Sequence, residues 1–511
     1  MKVVFILLFV SCCIPAVYAQ DGRNLYQQNC ASCHHPKRIG KTGPPLIPAF
    51  LKRIKAKALA GMIKDGFPQT QMPSFTHLDE QSLLAIAHYI KSPVDKDIKW
   101  TAKDIENSII TFNFPKKDLG IKDIRQVLPV VEREGGFVWI MEEDRILDKF
   151  PLQNIHGGIK YQFPQADNIF VPTRDGWVEK YSLKQGRPLA KVRIGINLRN
   201  VSLSRDGKYV LATSLLPQQL SILDTKTLKP IKIIPLEGKI SAIYEFYSQD
   251  KAIFTYRDQA KVGLLDTKTF KLTYTDIAEP IEDFFIDPYD KFIIATARRG
   301  KVMRVYEIKS MKIVFEHAME GMPHLFSATY WYNKGNFYFA TPHLRKSFIT
   351  IWKMYDWSFE QQIDIGGDGF FVKTHPNSDY LWVDNGTDEL TLIDKNTFET
   401  KVLIPEEGKQ YIHAEFSGDG SYTYLSIYEK NGSIQVLNTK TLEKIASYSA
   451  NVPVGKYNFI NKNRRFYPML FGTDIYNEKC KKDKKPKKCM KNLKGLNTYE
   501  KIAVNDYLKL H

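Results

Sequence analysis

The 511 residues carry 73 Lys and Arg against 56 Asp and Glu, a formal net charge of +17, with 43% apolar and 13% aromatic residues. A chain this long and this apolar exceeds one ordinary domain, and its composition excludes the disordered and low-complexity classes. Much of the basic excess is local, since Lys479 to Lys494 alone holds nine lysines, so the charge does not read as the basic face with aromatic platforms of a nucleic-acid binder.

Met1 to Ala19 has one Lys, an apolar run from Val3 to Val10 and the small-residue finish Val17-Tyr18-Ala19. This is the form of a cleavable secretory signal over 1–19, with the mature chain starting near Gln20. Cys12 and Cys13 then fall inside the removed piece; a lipoprotein site at Ser11-Cys12 is the alternative, which Phe9 fits poorly. No other apolar run is long enough to span a bilayer.

Residues 20–93 are expected to form one small all-α cytochrome c domain, and Cys30-Ala31-Ser32-Cys33-His34 names its cofactor. Two thiols three residues apart can add to the two vinyl groups of a haem, and the adjoining imidazole then lies under the iron as its proximal ligand. A redox disulfide would sit in a βαβ pattern, and half of a zinc site would have a second Cys or His pair nearby; neither is found. A Gly43-Pro44-Pro45-Leu46 loop follows, then Met72-Pro73 about forty residues downstream of the thiols, where a thioether reaches the distal face. Met72 is thus the expected sixth ligand. Met62, in the helical run Lys55 to Ile63, reads as core packing, and His77 is the alternative axial group. Helical spacing also covers Asn24 to Gln28 and Gln81 to Ile90. Export together with a covalent haem points to a bacterial periplasm.

Residues 94–126 read as a linker. From 127 to 478 the chain changes to short β-rich runs and carries an internal repeat, apolar-apolar-Asp-x-Lys/Asn-Thr-Leu/Phe. It is plainest at Leu223 to Leu228, Leu265 to Phe270, Ile393 to Phe398 and Leu437 to Leu442, with degenerate copies near Met141, Tyr181, Glu307 and Tyr355. A spacing of roughly forty to forty-eight residues is the period of a four-stranded propeller blade, and the copies make about eight blades. The fold class is therefore a small all-α cytochrome c domain followed by an all-β eight-bladed propeller. The Asp and Thr of each copy close a hairpin through their side-chain oxygens and are assigned no chemistry. Residues 479–511 are expected as a basic tail in which Cys480 and Cys489 close a small disulfide loop.

Ligands of a propeller sit at the channel mouth on loops, so histidines and arginines outside the repeat are informative. His156 lies in Asn154-Ile155-His156-Gly157-Gly158, His324 follows Met322-Pro323, and His413 sits in Tyr411-Ile412-His413-Ala414-Glu415-Phe416. With Thr173-Arg174-Asp175-Gly176, Ile194-Gly195-Ile196 through Arg199, Gly367 to Phe371, Lys373-Thr374-His375-Pro376, Trp382-Val383-Asp384 and Gly455-Lys456-Tyr457-Asn458, the chain resembles the cytochrome cd1 group up to about Phe471. That group comprises periplasmic nitrite reductase and relatives that make haem d1. The resemblance implies that His156 is the proximal ligand of haem d1 and that Arg174 and Arg199 pair with its carboxylates, for which a guanidinium is suited. The expected iron ligands are then His34, Met72 and His156. Lys373-Thr374-His375-Pro376 looks like a family signature, with His375 read as structural.

Nitrite reductases hold two histidines over the distal face. His324 resembles one; in place of the other stands Pro280-Ile281-Glu282-Asp283, whose carboxylate would repel nitrite. His413 stands where nitrite reductases lack a histidine, and His-x-Glu-Phe there is similar to the dihydro-haem d1 dehydrogenase branch. The implied activity is oxidation of a propionate side chain of dihydro-haem d1 to the acrylate, with electrons passed to haem c. His324 and His413 are the candidate bases and Glu282 a weaker third. The implied partners are the tetrapyrrole, a periplasmic electron-transfer protein and nitrite reductase as recipient of haem d1; neither nucleic acid nor a membrane span is expected. The competing readings are a nitrite reductase with a divergent pocket and a non-catalytic haem d1 carrier.

Overall fold

The computed structural model describes residues 14–67, 71–94, 98–155, 158–298 and 300–510, and the chain divides into two compact units, 1–99 and 100–511. The N-terminal thirteen residues of the expected signal, with Cys12 and Cys13, lie outside the described residues, as do His156 and Gly157. Among the described residues no helix is long and apolar enough to cross a membrane.

The first unit is all-α, with helices Ile14–Asn29, Ala31–His34, Pro48–Leu51, Ala56–Asp65 and Glu80–Lys91. The last begins where the Asp79 carboxylate accepts the Ser82 amide at 2.7 Å, an N-cap that satisfies one of the amides a helix start leaves over. Its apolar stripe of Leu83, Ile86 and Ile90 packs with Leu59, Ile63 and Tyr26. It crosses the first helix at Gly22, where an added Cβ would lie 2.3 Å from the Ala85 carbonyl, so a larger residue there would force the helices apart.

The expected linker is shorter than 94–126, because the chain joins the second unit from Trp100 onward. Helix Ala102–Asn107 carries a Thr101/Asp104 capping box and seats Ile105, fully buried, against Phe170, Val178 and Leu198. Ile110–Thr111 then adds a fifth strand to one blade. One anchoring residue and a two-residue strand are too short to give a periodic signal.

The second unit is a ring of eight antiparallel sheets of four or five strands, the propeller that the repeat implies. Strand Pro453–Lys456 pairs with Val127–Glu132, so the C-terminal side supplies the first strand of the N-terminal blade and closes the ring. The first strands of neighbouring blades touch one another, as Asn197–Leu203 touches Ile240–Glu245 and Val372–Lys373 touches Tyr411–Phe416, and so line the channel. The fourth strands, such as Leu272–Asp276 and Ile313–Ala318, are largely exposed.

The repeat is the turn between third and fourth strands. Asp224 Oδ1 accepts the Lys226 and Thr227 amides at 3.0 and 2.7 Å, and the closing apolar residue turns left-handed to reach the core, at φ 61° for Leu228, 56° for Phe270, 61° for Phe398 and 64° for Leu442. Burying the side chain offsets a conformation that costs a non-glycine residue roughly 1–2 kcal/mol.

Beyond the closing strand, residues 457–466 cross the channel at the end where the inner strands finish. Asn461 donates to the Phe416 carbonyl at 2.9 Å, and Arg464 donates to the Ile286 and Asp287 carbonyls and to Asp290. Helices Tyr467–Lys479, Pro486–Asn492 and Thr498–Leu510 follow. Cys480 and Cys489 are disulfide-bonded, as expected. The segment is nevertheless a docked cap rather than a solvated tail, since Cys480, Met490, Ala503 and Val504 are buried with Tyr289, Phe337 and Trp352. The lysines surround, and in sequence mask, these helix-spaced apolar anchors.

Candidate functional site

In the first unit the Cys30 and Cys33 thiols are free, one buried at the start of the short helix Ala31–His34 and one exposed within it. Burial, then the neighbouring Cys33, pushes the Cys30 thiol up to about 11. The His34 ring is buried and held through Nδ1 to the Pro44 carbonyl at 2.8 Å, which as donor leaves Nε2 for a metal. Gly43 backs the ring so closely that a Cβ would fall 2.6 Å from Cε1. Two free thiols beside an imidazole braced in this way fit a covalent haem. No group of three or more His, Cys, Asp and Glu suited to holding a bare metal ion is found among the described residues. Met72 packs half-buried in the same apolar cluster as Cys30, whereas His77 is exposed with its ring 5.9 Å from that of Phe75.

In the propeller the inner strands run the same way along the channel, so their starts share one mouth. Arg199 lies near the start of Asn197–Leu203, Glu282 and Asp283 at the start of Asp283–Ile286, His324 just after Met322–Pro323, and His413 near the start of Tyr411–Phe416. The turn holding Arg174 joins them, its carbonyl accepting the Leu198 amide at 3.0 Å and its amide donating to the Asn154 carbonyl at 2.7 Å. The topology thus gathers Arg174, Arg199, Glu282, His324 and His413 at one end of the channel.

Two buried carboxylates organise this mouth. Asp283 Oδ2 holds His324 Nδ1 at 2.7 Å while Oδ1 accepts the Phe326 amide at 2.8 Å; the two side chains are 10% and 13% exposed. His324 Nε2 is buried without a hydrogen-bond partner, and the His324 ring packs 4.5 Å from Phe370. Asp384 accepts the Phe370 and Phe371 amides at 2.7 and 2.8 Å and the His413 amide at 3.2 Å. Burial raises its carboxyl to about 6 against those three amides. Phe371 then packs 4.9 Å from the His413 ring, so the aromatic pair joins the two histidines.

His413 reaches the channel through a bulge. The register of its strand slips between Ile412 and Glu415, and His413 sits left-handed at φ 57°, while Tyr411, Ala414 and Phe416 keep to the core. Such strain persists only where the surroundings over-determine it, and it clusters at functional sites. Its ring is buried with Nδ1 unpartnered. Burial, then the charges of Lys456, Lys462 and Lys373, hold the imidazole well below its usual range, so it is neutral.

Glu282 does not stand alone. Its Oε1 is 3.6 Å from Arg257 Nη1, and Arg257 in turn bears on Arg199, whose guanidinium is brought down to about 10 by burial and then by that neighbour. The repulsion expected of an isolated carboxylate is therefore offset. Arg199 Nε donates to the Ser241 carbonyl, which leaves its two terminal nitrogens to serve a carboxylate. Arg257 was not legible in sequence, lying in an ordinary strand end, Tyr256-Arg257-Asp258. Deeper in the channel Glu415, fully buried, pairs with Lys462 at 3.2 Å, beside buried Lys456 and Lys373, which burial and then Lys462 bring down to about 7. His375 lies elsewhere, packed against Gly420 and accepting the Asn377 amide. Unpartnered buried atoms of Arg257, Glu282, His324 and His413, with Arg199 and the rings of Phe370 and Phe371, suit a planar ligand that carries polar groups.

Residues 122–462 match the family model described as Cytochrome D1 heme domain, and residues 18–90 that described as Cytochrome C oxidase, cbb3-type, subunit III. The chain is 32% identical over 463 residues to the dihydro-heme d1 dehydrogenase of Pseudomonas aeruginosa, covering 86% of this chain and 94% of that one. It is 20% identical over 534 residues to nitrite reductase of Stutzerimonas stutzeri, covering 89% and 95%. Among solved structures, "Dihydro-heme d1 dehydrogenase NirN in complex with DHE" is similar with a TM-score of 0.82 at 31% identity, over 86% of this chain and 99% of that chain. With its propeller matched from end to end and a cytochrome c region in front of it, the chain belongs to the cytochrome d1 haem domain family.

Proposed function

We propose that this protein is a dihydro-haem d1 dehydrogenase of the bacterial periplasm, oxidising a propionate side chain of its tetrapyrrole substrate to the acrylate. The conversion of CH2–CH2 to CH=CH releases two protons and two electrons. The observation that carries the reading is the Asp283–His324 pair: the carboxylate fixes the proton on Nδ1 and leaves the buried Nε2 lone pair to take a proton from a weakly acidic carbon. His413, kept neutral by burial and by the lysines beneath it, is the second proton acceptor. Glu282, tied to Arg257, serves to position that arginine beside Arg199 more than to act as a base. Arg174 and Arg199 would receive the substrate carboxylates, and His156, which lies outside the described residues, would bind its iron. Cys30, Cys33, His34 and Met72 would hold haem c, which when bound supplies a one-electron acceptor. Since that haem takes one electron at a time, an external periplasmic electron-transfer protein completes the turnover, and an acceptor of the finished macrocycle, such as nitrite reductase, takes the product.

The test is anaerobic mixing of the oxidised, haem c-loaded protein with dihydro-haem d1, following the haem c reduction bands and identifying the extracted macrocycle. Reduction of haem c with formation of the acrylate is expected. A macrocycle that binds and returns unchanged sinks the proposal, and nitrite turnover by the haem d1 complex then separates a reductase from a carrier.

A further inference from the structure

The nine lysines from Lys479 to Lys494 lie beyond residue 462, where the match to the family domain ends, and the chemistry above does not use them. They are rigidly mounted. The Cys480–Cys489 disulfide closes the loop, and Cys480 and Met490, each 1% exposed, anchor it in the apolar cluster around Tyr289, Phe337 and Trp352. Lys479 pairs with Glu500, which also accepts the Tyr332 hydroxyl at 2.6 Å. All nine lysines are exposed, and Lys481, Lys482, Lys484, Lys485 and Lys488 form no ion pair among the described residues. The single acid of the run, Asp483, turns onto the backbone of the loop and accepts the Lys485 amide at 2.7 Å.

Like charges held this close repel one another, and the disulfide and the apolar anchors oppose that repulsion. The composition says what such a face meets. Residues 479–494 contain no arginine and no aromatic residue, and their methionine is buried. Protein interfaces favour arginine and aromatic residues and are poor in lysine, because a guanidinium fork reads individual carboxylates whereas an ammonium is a point charge. A dense field of point charges without shape-reading groups suits a broad sheet of negative charge. The loop also belongs to the propeller unit, whereas electrons leave through the cytochrome unit, so it is not built into the unit an electron acceptor must reach. It follows helix Tyr467–Lys479, which continues from the segment closing the channel end opposite the substrate mouth.

We infer that the Cys480–Cys489 lysine loop is an electrostatic docking surface for an anionic lipid bilayer, which holds the protein by the propeller end opposite the substrate mouth and leaves that mouth free. The test uses the full, haem-loaded protein with vesicles of phosphatidylglycerol and phosphatidylcholine, against phosphatidylcholine alone. Co-sedimentation with the first and not the second is expected, released by NaCl on the order of 0.5 M. Reversing Lys481, Lys482, Lys484 and Lys485 to Glu should weaken binding by at least roughly 100-fold, at about fivefold per lysine removed. A control with the same change in net charge, Lys239→Glu, Lys301→Glu, Arg345→Glu and Lys430→Glu, should keep most of it, since these exposed residues stand at strand ends on the side of the substrate mouth, on four different blades. If the Glu variant melts early, the same four positions changed to Gln give the reading. Equal loss in loop variant and control would assign binding to overall charge and overturn the inference. So would indifference to phosphatidylglycerol, or binding of poly-L-glutamate in its place, which would assign the loop to an acidic protein.

Discussion

Asp283 and Asp384 show how one residue type sets two histidines differently. Asp283 contacts an imidazole directly and fixes its tautomer, whereas Asp384 contacts only backbone amides and so fixes where Phe370, Phe371 and His413 stand. Asp283→Asn keeps the shape but removes the charge that supports an imidazolium at His324. The rate of haem c reduction by dihydro-haem d1 should fall by roughly 100-fold or more, with substrate affinity, read from the macrocycle absorption, little changed; an equal loss of affinity would make Asp283 a binding residue instead. Arg199→Lys is the converse case. A lysine cannot give a fork to a carboxylate, so affinity should drop by about tenfold while the rate at saturation holds. Neither carboxylate stands out in sequence as chemistry, because strand-end aspartates are common and only the fold shows which face a histidine.

At the scale of elements, the repeat was readable because each blade needs the same turn, and the turn needs an Asp or Asn oxygen for its free amides and an apolar residue to bury after it. The four clear copies repeat that solution. The gathering of Arg199, Glu282, His324 and His413 at one mouth follows from the blade pattern, since all four stand at inner-strand starts. The bulge that turns His413 inward was not readable, because an inserted residue leaves the strand's apolar pattern almost unchanged over so short a run. Nor was the burial of the C-terminal helices, where lysine density hides the anchors Met490, Ala503 and Val504. The disulfide of that cap makes a separate prediction. Opening so short a loop by Cys480→Ser with Cys489→Ser should cost about 2–3 kcal/mol by the chain-entropy model. The loss is measurable as a lower urea midpoint of the propeller, and an unchanged midpoint would mean that the cap unfolds apart from the blades.

Over the whole molecule, buried titratable groups of opposite tendency share one pH window. Burial pushes Asp287, Asp384 and Asp474 up to about 6, while it brings His343 and His375 down to about 4 and His413 lower than its usual range. Each aspartate has a folded pKa above its unfolded value of about 3.9, so it adds stability as the pH falls through about 6. Each histidine has a folded pKa below its unfolded value of about 6.5, so its contribution is complete above that pH and is lost as the pH falls. Between pH 7 and 5 the three aspartates, together with Glu179, which burial raises to about 7, add stability, while His343 and His375 remove about 2 kcal/mol each and His413 acts in the same sense, so the two sets oppose one another. His343 is bonded at both ring nitrogens, to the Glu320 carbonyl and Thr350 Oγ1, and His375 packs under Gly420, so neither ring is one of the two candidate bases. In the double variant His343→Gln, His375→Gln the opposition from these two rings is gone, and the change in stability from pH 7 to pH 5 should be more favourable than in the wild type by about 4 kcal/mol. Urea midpoints of both proteins at pH 7 and pH 5 decide the matter: acidification should move the variant's midpoint upward relative to the wild type's, whatever absolute stability the substitutions cost. Parallel slopes would show that His343 and His375 take up their protons in the folded chain.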